Sequence, residues 1–390
     1  VQRVLDGLRE GGHFAKAFDG DMRLPKRLKT YQTPQPDGRP SILVFNLAYG
    51  IQGDARYTHI PGMLELAGVP YTGAEPLGHA VSLDKVVAKI LLRNAEVPTP
   101  RSTVMRQPGD DGVRFRYPLV VKPRHESTSY GLRLVRDRGE LQEAVEAVVT
   151  NYRQPAIVEE FVPGREFCVC LVGNDPIEVL PVVELVYPEG AKWLYTWDDK
   201  YHKSPDEPEK ICPATLDPAL RDRLGEIAIG SFRACYCRDY AKVDIRLDER
   251  GEPQVIEINS MASLGPGGSY VLAAEEAGYS FGSLVCRIVD VAHLRYFGVP
   301  APRPAREQEC EIEAATAATG IAAGAGQEPL ADNGIWKEML EWRVSTVAPQ
   351  AKKLNGTRHE PPPGQSRPLV RADDAGFRTA DDQDRSDTER

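Results

Sequence analysis

The stretch Ala241–Ser260, AKVDIRLDERGEPQVIEINS, constrains the chain more than any other. Val243, Ile245 and Leu247 alternate with Asp244, Arg246 and Asp248, the period of a strand with a dry face and a wet one. Asp248-Glu249-Arg250-Gly251 supplies a turn. Val255, Ile256 and Ile258 form a second apolar run, and Glu257 and Asn259, two residues apart, share a face. Antiparallel pairing of the two strands brings Asp244 beside that pair. Two carboxylates and a carboxamide oxygen are hard ligands, suited to Mg²⁺ or Mn²⁺. Such an ion keeps waters and takes phosphate oxygens for the rest of its shell. The stretch has no Cys or His for a softer metal. Taken alone it reads equally well as an exposed hairpin with ordinary surface charges.

The whole chain narrows the choice. Its 390 residues predict two or three compact units. The formal charge of −9 gives no basic stripe for nucleic acid. Scarce histidine disfavours imidazole chemistry. Seven cysteines do not form a disulfide framework. Cys168-x-Cys170 and Cys235-x-Cys237 lack the CxxC spacing of zinc or redox sites. They read as buried thiols of a reducing, cytoplasmic compartment. No run of 18 apolar residues appears, so neither a membrane span nor a membrane partner is expected, and no signal peptide is expected. The chain opens on Val1, within a helical pattern over Val1–Arg9, so a partial N-terminal domain is expected.

In order, residues 13–40 read as a polar connection. Ser41–Leu47, SILVFNL, reads as a buried parallel strand. The polar loop from Ala48 to Asp54 then lies where open α/β sheets place ligands. A short helix is predicted over Ile60–Gly68, with Pro61 near its start and Gly68 closing it. An amphipathic helix is predicted within 76–93, capped by Ser82. Lys85 falls in its first turn, where the helix dipole disfavours a cation by about 0.3–1 kcal/mol. A phosphate ligand would account for that placement, and a solvent lysine paired with Asp84 would account for it too. Thr103–Met105 and Tyr117–Pro123 are strands. Lys122 closes the second, and a loop with Glu126, Ser127, Thr128 and Ser129 follows before a strand resumes at Leu132. The loop's hydroxyls and backbone N–H groups suit a polyphosphate, although no GxxxxGK[ST] motif is present. Glu140–Asn151 is a helix. Ala156–Phe161, Glu166–Val172 and Ile177–Val183 are strands. Trp193–Lys203, aromatic and charged without core periodicity, reads as a mobile lid. Leu216–Cys235 is a long helix. A small, glycine-rich segment over Ser260–Tyr270 follows the metal hairpin, and one or two helices cover 270–297. Ala-Gly tracts, a triple proline and dense Asp/Arg mark 301–390 as a largely disordered tail.

Set in order, MLELAGVPYTG, LDK, VVKP with its Ser/Thr loop, VEEFVPGREF, DDKY and KVDIRLD…EIN resemble the D-alanine–D-alanine ligases of the ATP-grasp superfamily. The match over residues 1–298 is closest to their divergent, ligase-like relatives. The resemblance implies an α/β (α+β) ATP-grasp fold with a partial open-sheet N-terminal domain over 1–80. A central subdomain would cover 81–160, and a C-terminal subdomain with the metal site 161–300. It implies ATP and Mg²⁺ as cofactors. Lys85 and Lys122 would contact phosphates, and the Glu126–Ser129 loop would close over them. Glu159, Glu160, Phe161 and Val162 would grip adenine, partly through backbone groups. Glu166 would hold the ribose hydroxyls, and Lys200 would reach the γ-phosphate or the substrate. Asp244, Glu257 and Asn259 would hold the metal. The implied reaction is ADP-forming ligation of a carboxylate to an amine through an acyl phosphate, with small amino or carboxylic acids and amines as partners. A homodimer is one option for assembly.

The chain also departs from the family pattern. Lys242 stands where the family has an arginine that stabilises the tetrahedral intermediate, and it loses the planar fork. Ser263 falls at a glycine of the oxyanion region. Gly268, with Ser269 beside it, occupies the position of the serine that receives the second alanine's carboxylate. Lys242, Lys200 and Ser263 are therefore the expected catalytic group, with substrates other than D-alanine. The rival expectations are authentic D-alanine–D-alanine ligation and an inactive ATP-binding module.

Overall fold

A computed structural model of the chain describes residues 1–32, 40–110, 112–190, 194 and 207–302. The lid read into Trp193–Lys203, including Lys200, lies outside the described residues except for Leu194, as does the tail from residue 303.

Two antiparallel sheets organise the described residues. The four-stranded one comprises β1 (Ser102–Met105), β2 (Leu119–Pro123), β3 (Arg133–Val135) and β4 (Ala156–Glu160), in the order β1-β4-β2-β3. Helix α6 (Arg138–Tyr152), with Asp137 capping the Glu140 N–H, packs Leu141, Val145 and Val148 onto it. The second sheet comprises β5 (Glu166–Gly173), β6 (Ile177–Val179), β7 (Val183–Val186), β8 (Glu209–Ile211), β9 (Tyr240–Leu247) and β10 (Pro253–Asn259). Its main order is β10-β9-β5-β7-β8, and β6 pairs with β5.

Strand β5 shows why EFCVCLV is apolar throughout: both of its faces are covered. Cys168, Cys170 and Val172 join a core with α1 (Gln2–Glu10), α8 (Ser269–Glu276) and α9 (Phe281–Phe297). Phe167, Val169 and Leu171 face α7 (Pro218–Ala234) and α5 (Lys85–Asn94). The cysteine pairs are buried free thiols. Burial pushes Cys168 up to about 12.

Three sequence expectations need correction. Ser41–Leu47 is not a strand. It has one parallel bridge, Val44 to Tyr71, and all of it except Asn46 is half-buried. A run of that kind forms a strand when sheet neighbours cover it, and among the described residues only the short segment around Tyr71 flanks it. The polar connection over 13–40 contains α2 (Leu24–Tyr31). Leu24 and Leu28, four apart, are buried with Leu64 of α3 (His59–Leu66). The helix expected within 76–93 is two, α4 (Pro76–Leu83) and α5, broken at Asp84 in extended geometry. Asp84, not Ser82, caps α5, accepting from Val86 and Val87 N–H at 3.0 and 3.2 Å. Ser82 is buried against the Cys237 thiol instead.

Candidate active site

The β9–β10 hairpin sets Asp244 directly opposite Glu257 and Lys242 opposite Asn259. A bulge between Val255 and Glu257 shifts the register just before the polar residues and re-aims them. Asn259 Nδ2 lies 3.1 Å from Asp244 Oδ2 and 3.4 Å from Glu257 Oε1. One amide thus touches both carboxylates, and turning it over presents its oxygen to the same point. Among the described residues no group of three His, Cys, Asp or Glu side chains is placed to hold a metal ion. The group is two carboxylates and an amide, and that hard-oxygen set fits Mg²⁺. The Lys242 ammonium pairs with Asp244 and lies 3.8 Å from Cys168 Sγ. Burial alone would lower the lysine, but Asp244 outweighs it and the ammonium is held above its usual range.

The second charged group grows from α5 and β2. The buried stripe of α5 is Lys85, Ala88, Lys89 and Leu92, so two lysines four residues apart point inward. Glu159 on β4, only 2% exposed, receives both Lys122 at 2.8 Å and Lys89 at 3.1 Å. Lys89 also donates to Thr99 Oγ1 at 2.7 Å, and that hydroxyl donates to the Val255 carbonyl, which ties the cluster to β10. Burial would raise Glu159, but the two ammoniums outweigh it and hold it below the usual carboxylate range. Burial lowers Lys89 to about 8, against the pull of Glu159. Lys85 donates to the Glu126 carbonyl. Burial lowers it as well, Glu257 opposes that most strongly, and Lys122 adds to it. The Lys85 ammonium therefore senses both sheets. It is not the solvent lysine of the simpler reading.

The loop after β2 is held from below. Arg124 makes a two-pronged ion pair with Asp84 at 2.8 and 2.6 Å. Burial would raise Asp84, but His125, Arg124 and the Val87 N–H hold it well below the usual range. Glu126 is buried between Arg56 Nη2 at 3.0 Å and Gln154 Nε2 at 2.9 Å. Ser127 Oγ meets the Tyr57 hydroxyl at 2.8 Å. Thr128 and Ser129 take left-handed backbone, φ 58° and 60°, and Gly131 follows at φ 74°. A Cβ on Gly131 would meet Pro123 and the Tyr152 ring below 3 Å, so the turn needs glycine.

The remaining expected residues sit as follows. Glu160 points outward to Arg101 Nε at 2.8 Å, and Val162 is buried. Phe161 carries the Arg246 guanidinium 5.0 Å above its ring. Glu166 accepts from the Tyr187 hydroxyl at 2.6 Å and lies 3.5 Å from Arg246. Ser263 is exposed and accepts from the Gly265 N–H at 3.3 Å. Sequence reasoning missed Lys89, Arg56 and Gln154. The signal for Lys89 was present, as a lysine on the inward face of α5, four residues after Lys85. Arg56 and Gln154 carried none, because their partner Glu126 is 70 and 28 residues away.

Known proteins share the fold. A D-alanine–D-alanine ligase structure from Bacillus anthracis, described as complexed with ATP, superposes with a TM-score of 0.59 at 20% identity, covering 76% of this chain and 91% of that one. The Coxiella burnetii D-alanine–D-alanine ligase gives 0.55 at 23% identity, covering 72% and 74%. The fold is that of these two D-alanine–D-alanine ligase structures. The family described as D-ala D-ala ligase C-terminus matches residues 90–290. An uncharacterized protein, y4sG, of Sinorhizobium fredii is 50% identical over 295 residues, 76% of this chain and 88% of that one. The D-alanine–D-alanine ligase of Alcanivorax borkumensis is 34% identical over 230 residues, 59% and 71%. The chain belongs to the D-alanine–D-alanine ligase-like family of ATP-grasp carboxylate–amine ligases.

Proposed function

We propose that the chain is an ADP-forming ligase that joins an amino acid or related small acid to an amine through an acyl phosphate. ATP would bind between the subdomains over 81–160 and 161–300. The observation that carries this reading is the position of Lys85, buried on α5, which donates to the Glu126 carbonyl of the loop after β2 and senses Glu257 on the metal hairpin together with Lys122 and Glu159 of the other sheet.

The chemistry assigns each group a task. A carboxylate is a poor electrophile, and phosphorylation by ATP makes it one. Lys85 and Lys122 would neutralise phosphate oxygens as charge builds in transfer. Asp244, Glu257 and Asn259 would hold Mg²⁺, which when bound withdraws charge from the phosphates. Lys200 would reach the γ-phosphate or the substrate, and the Glu126–Ser129 loop, closed over the phosphates, would help exclude water from the acyl phosphate. Backbone groups of Glu159–Val162 would grip the adenine, and Glu166 would take the ribose. The amine then attacks the acyl carbon and phosphate leaves. Lys242 and Ser263 would stabilise the oxygen that becomes negative in that step. Lysine in place of the family's arginine, with the changes at Ser263 and Gly268, favours substrates other than D-alanine.

The test is phosphate release from Mg-ATP over a panel of amino acids, singly and in pairs, with mass detection of products and Asp244→Asn as control. Release that needs two acids and yields a joined product supports the reading. Release with D-alanine alone would overturn the specificity. ATP binding with no release above the control, for any pair, would overturn the ligase reading in favour of a binding module.

A further inference from the structure

His79, on α4, is 1% exposed, and none of the chemistry above employs it. It stands where three parts of the site meet. Its Nδ1 lies 2.9 Å from the hydroxyl of Ser260, the residue after Asn259. Its ring packs edge-on to Tyr57, centroids 6.3 Å apart. Tyr57 in turn stacks on Tyr49 and touches Ser127 of the polar loop. The other ring nitrogen, Nε2, is buried with no hydrogen-bond partner among the described residues. A buried polar atom left unpaired costs about 1–3 kcal/mol, a cost that a partner arriving at Nε2 would remove.

Counting hydrogens decides which group that is. Burial lowers the ring to about 4, so it is neutral near pH 7. If Nδ1 carried the proton, it would donate to Ser260, and both the serine hydrogen and the Nε2 lone pair would be unsatisfied. If Ser260 donates to Nδ1, the hydrogen at Nε2 alone lacks a partner. The second arrangement leaves fewer orphans and makes Nε2–H a desolvated donor. A donor asks for an acceptor oxygen. The lysines that suit phosphates lie elsewhere, at Lys85 and Lys122, whereas one neutral N–H suits a carboxylate.

We infer that the Nε2–H of His79 receives a carboxylate oxygen of the small-acid substrate and fixes that substrate beside the metal hairpin. The inference rests on the ligase reading for its substrate class. Its test on the full chain is chosen to work without turnover. Imidazole ¹⁵N–¹H spectra, with His79→Gln identifying the resonance, are recorded with sodium acetate, acetamide and sodium phosphate. The expected result is an Nε2–H tautomer whose proton moves downfield, saturably, with acetate and not with acetamide. An Nδ1–H tautomer, no response, or an equal response to acetamide would overturn the inference and leave a structural histidine or a buried water. A larger response to phosphate would overturn the carboxylate assignment. Failure of the ligase reading would leave these spectra unchanged, so the two failures are distinguishable. Once the amino-acid panel yields a substrate pair, His79→Phe should raise KM for the carboxylate substrate about ten- to hundredfold. KM for ATP should stay within twofold, and His79→Gln, which keeps a donor, should recover most of the loss. Equal changes in both KM values would overturn it.

Discussion

The Glu159 cluster and the Asp244 cluster are built from the same side-chain types with opposite balances. Around Glu159, Lys89 and Lys122 pair with one carboxylate, which leaves an excess of one positive charge, and Lys85 stands between this cluster and Glu257. On the hairpin, Lys242 pairs with Asp244 and Glu257 lies directly opposite Asp244, so carboxylates outnumber lysines there. Burial is costly for unbalanced charge. Each cluster therefore carries an imbalance that its expected ligand removes: phosphates at the first, a divalent cation at the second. The first is also closed, with Glu159 engaged on both oxygens. The second is the more open of the two, with Asp244 buried but Lys242, Glu257 and Asn259 only half-buried.

Breaking the closed cluster should have the largest effect. Glu159→Gln strands Lys89 and Lys122 in a buried site, and removal of one partner of such a group costs about 3–5 kcal/mol. Urea denaturation should show that loss. A change under 1 kcal/mol would mean that water reaches the cluster. The open cluster should respond in function rather than in stability. Glu257→Gln should cut turnover of Mg-ATP by about 10²–10³-fold and raise the Mg²⁺ needed for half-maximal activity, with the urea midpoint near that of wild type. If stability fell as far as in Glu159→Gln, the distinction between closed and open would fail.

His79 lies outside both clusters, and its response should be to pH. Burial depresses its folded value to about 4 from 6.5. Below 4 both states hold the proton and the full penalty applies, and above 6.5 neither does. Between them the unfolded chain binds more protons, so stability rises with pH. Wild type should lose about 3 kcal/mol more than His79→Gln as pH falls from 6.5 to 4, the energy of its displaced titration. Parallel profiles would show that the ring protonates in place.

The two clusters were not equally legible in the sequence. Strand alternation and the turn made the hairpin readable, since ligands two residues apart on neighbouring strands obey a local period. Lys85 and Lys122 stood out at the ends of elements. The bulge that re-aims Glu257 left no mark in IEIN, because a bulge is set by pairing with the neighbouring strand. Lys89 was readable only as one inward position of α5, and its partner Glu159 comes 70 residues later. Ser41–Leu47 shows the opposite failure. Its composition is that of a strand, but strands also need neighbours. Asp84 shows a third: the Ser82 cap was reasonable by residue type, yet the extended backbone at Asp84 and its pairing with Arg124 moved the helix start.

The smallest effect should come from the pair that most resembles the closed cluster on paper. Glu160 follows Glu159 on β4 and, by strand alternation, points to the other side. It also meets a cation, Arg101 Nε at 2.8 Å, but the arginine side chain is 70% exposed. Solvent screens such a pair, and holding two long side chains in place offsets what attraction remains. Arg101→Ala should leave both the urea midpoint and turnover at wild-type values, since the backbone proposed to grip adenine is untouched. Neighbouring glutamates on one strand would then differ entirely in consequence, one buried between two lysines and the other paired with a single exposed arginine. A loss of turnover in Arg101→Ala at unchanged stability would instead assign the Glu160 side chain to the nucleotide and extend the open site to the outer edge of β4.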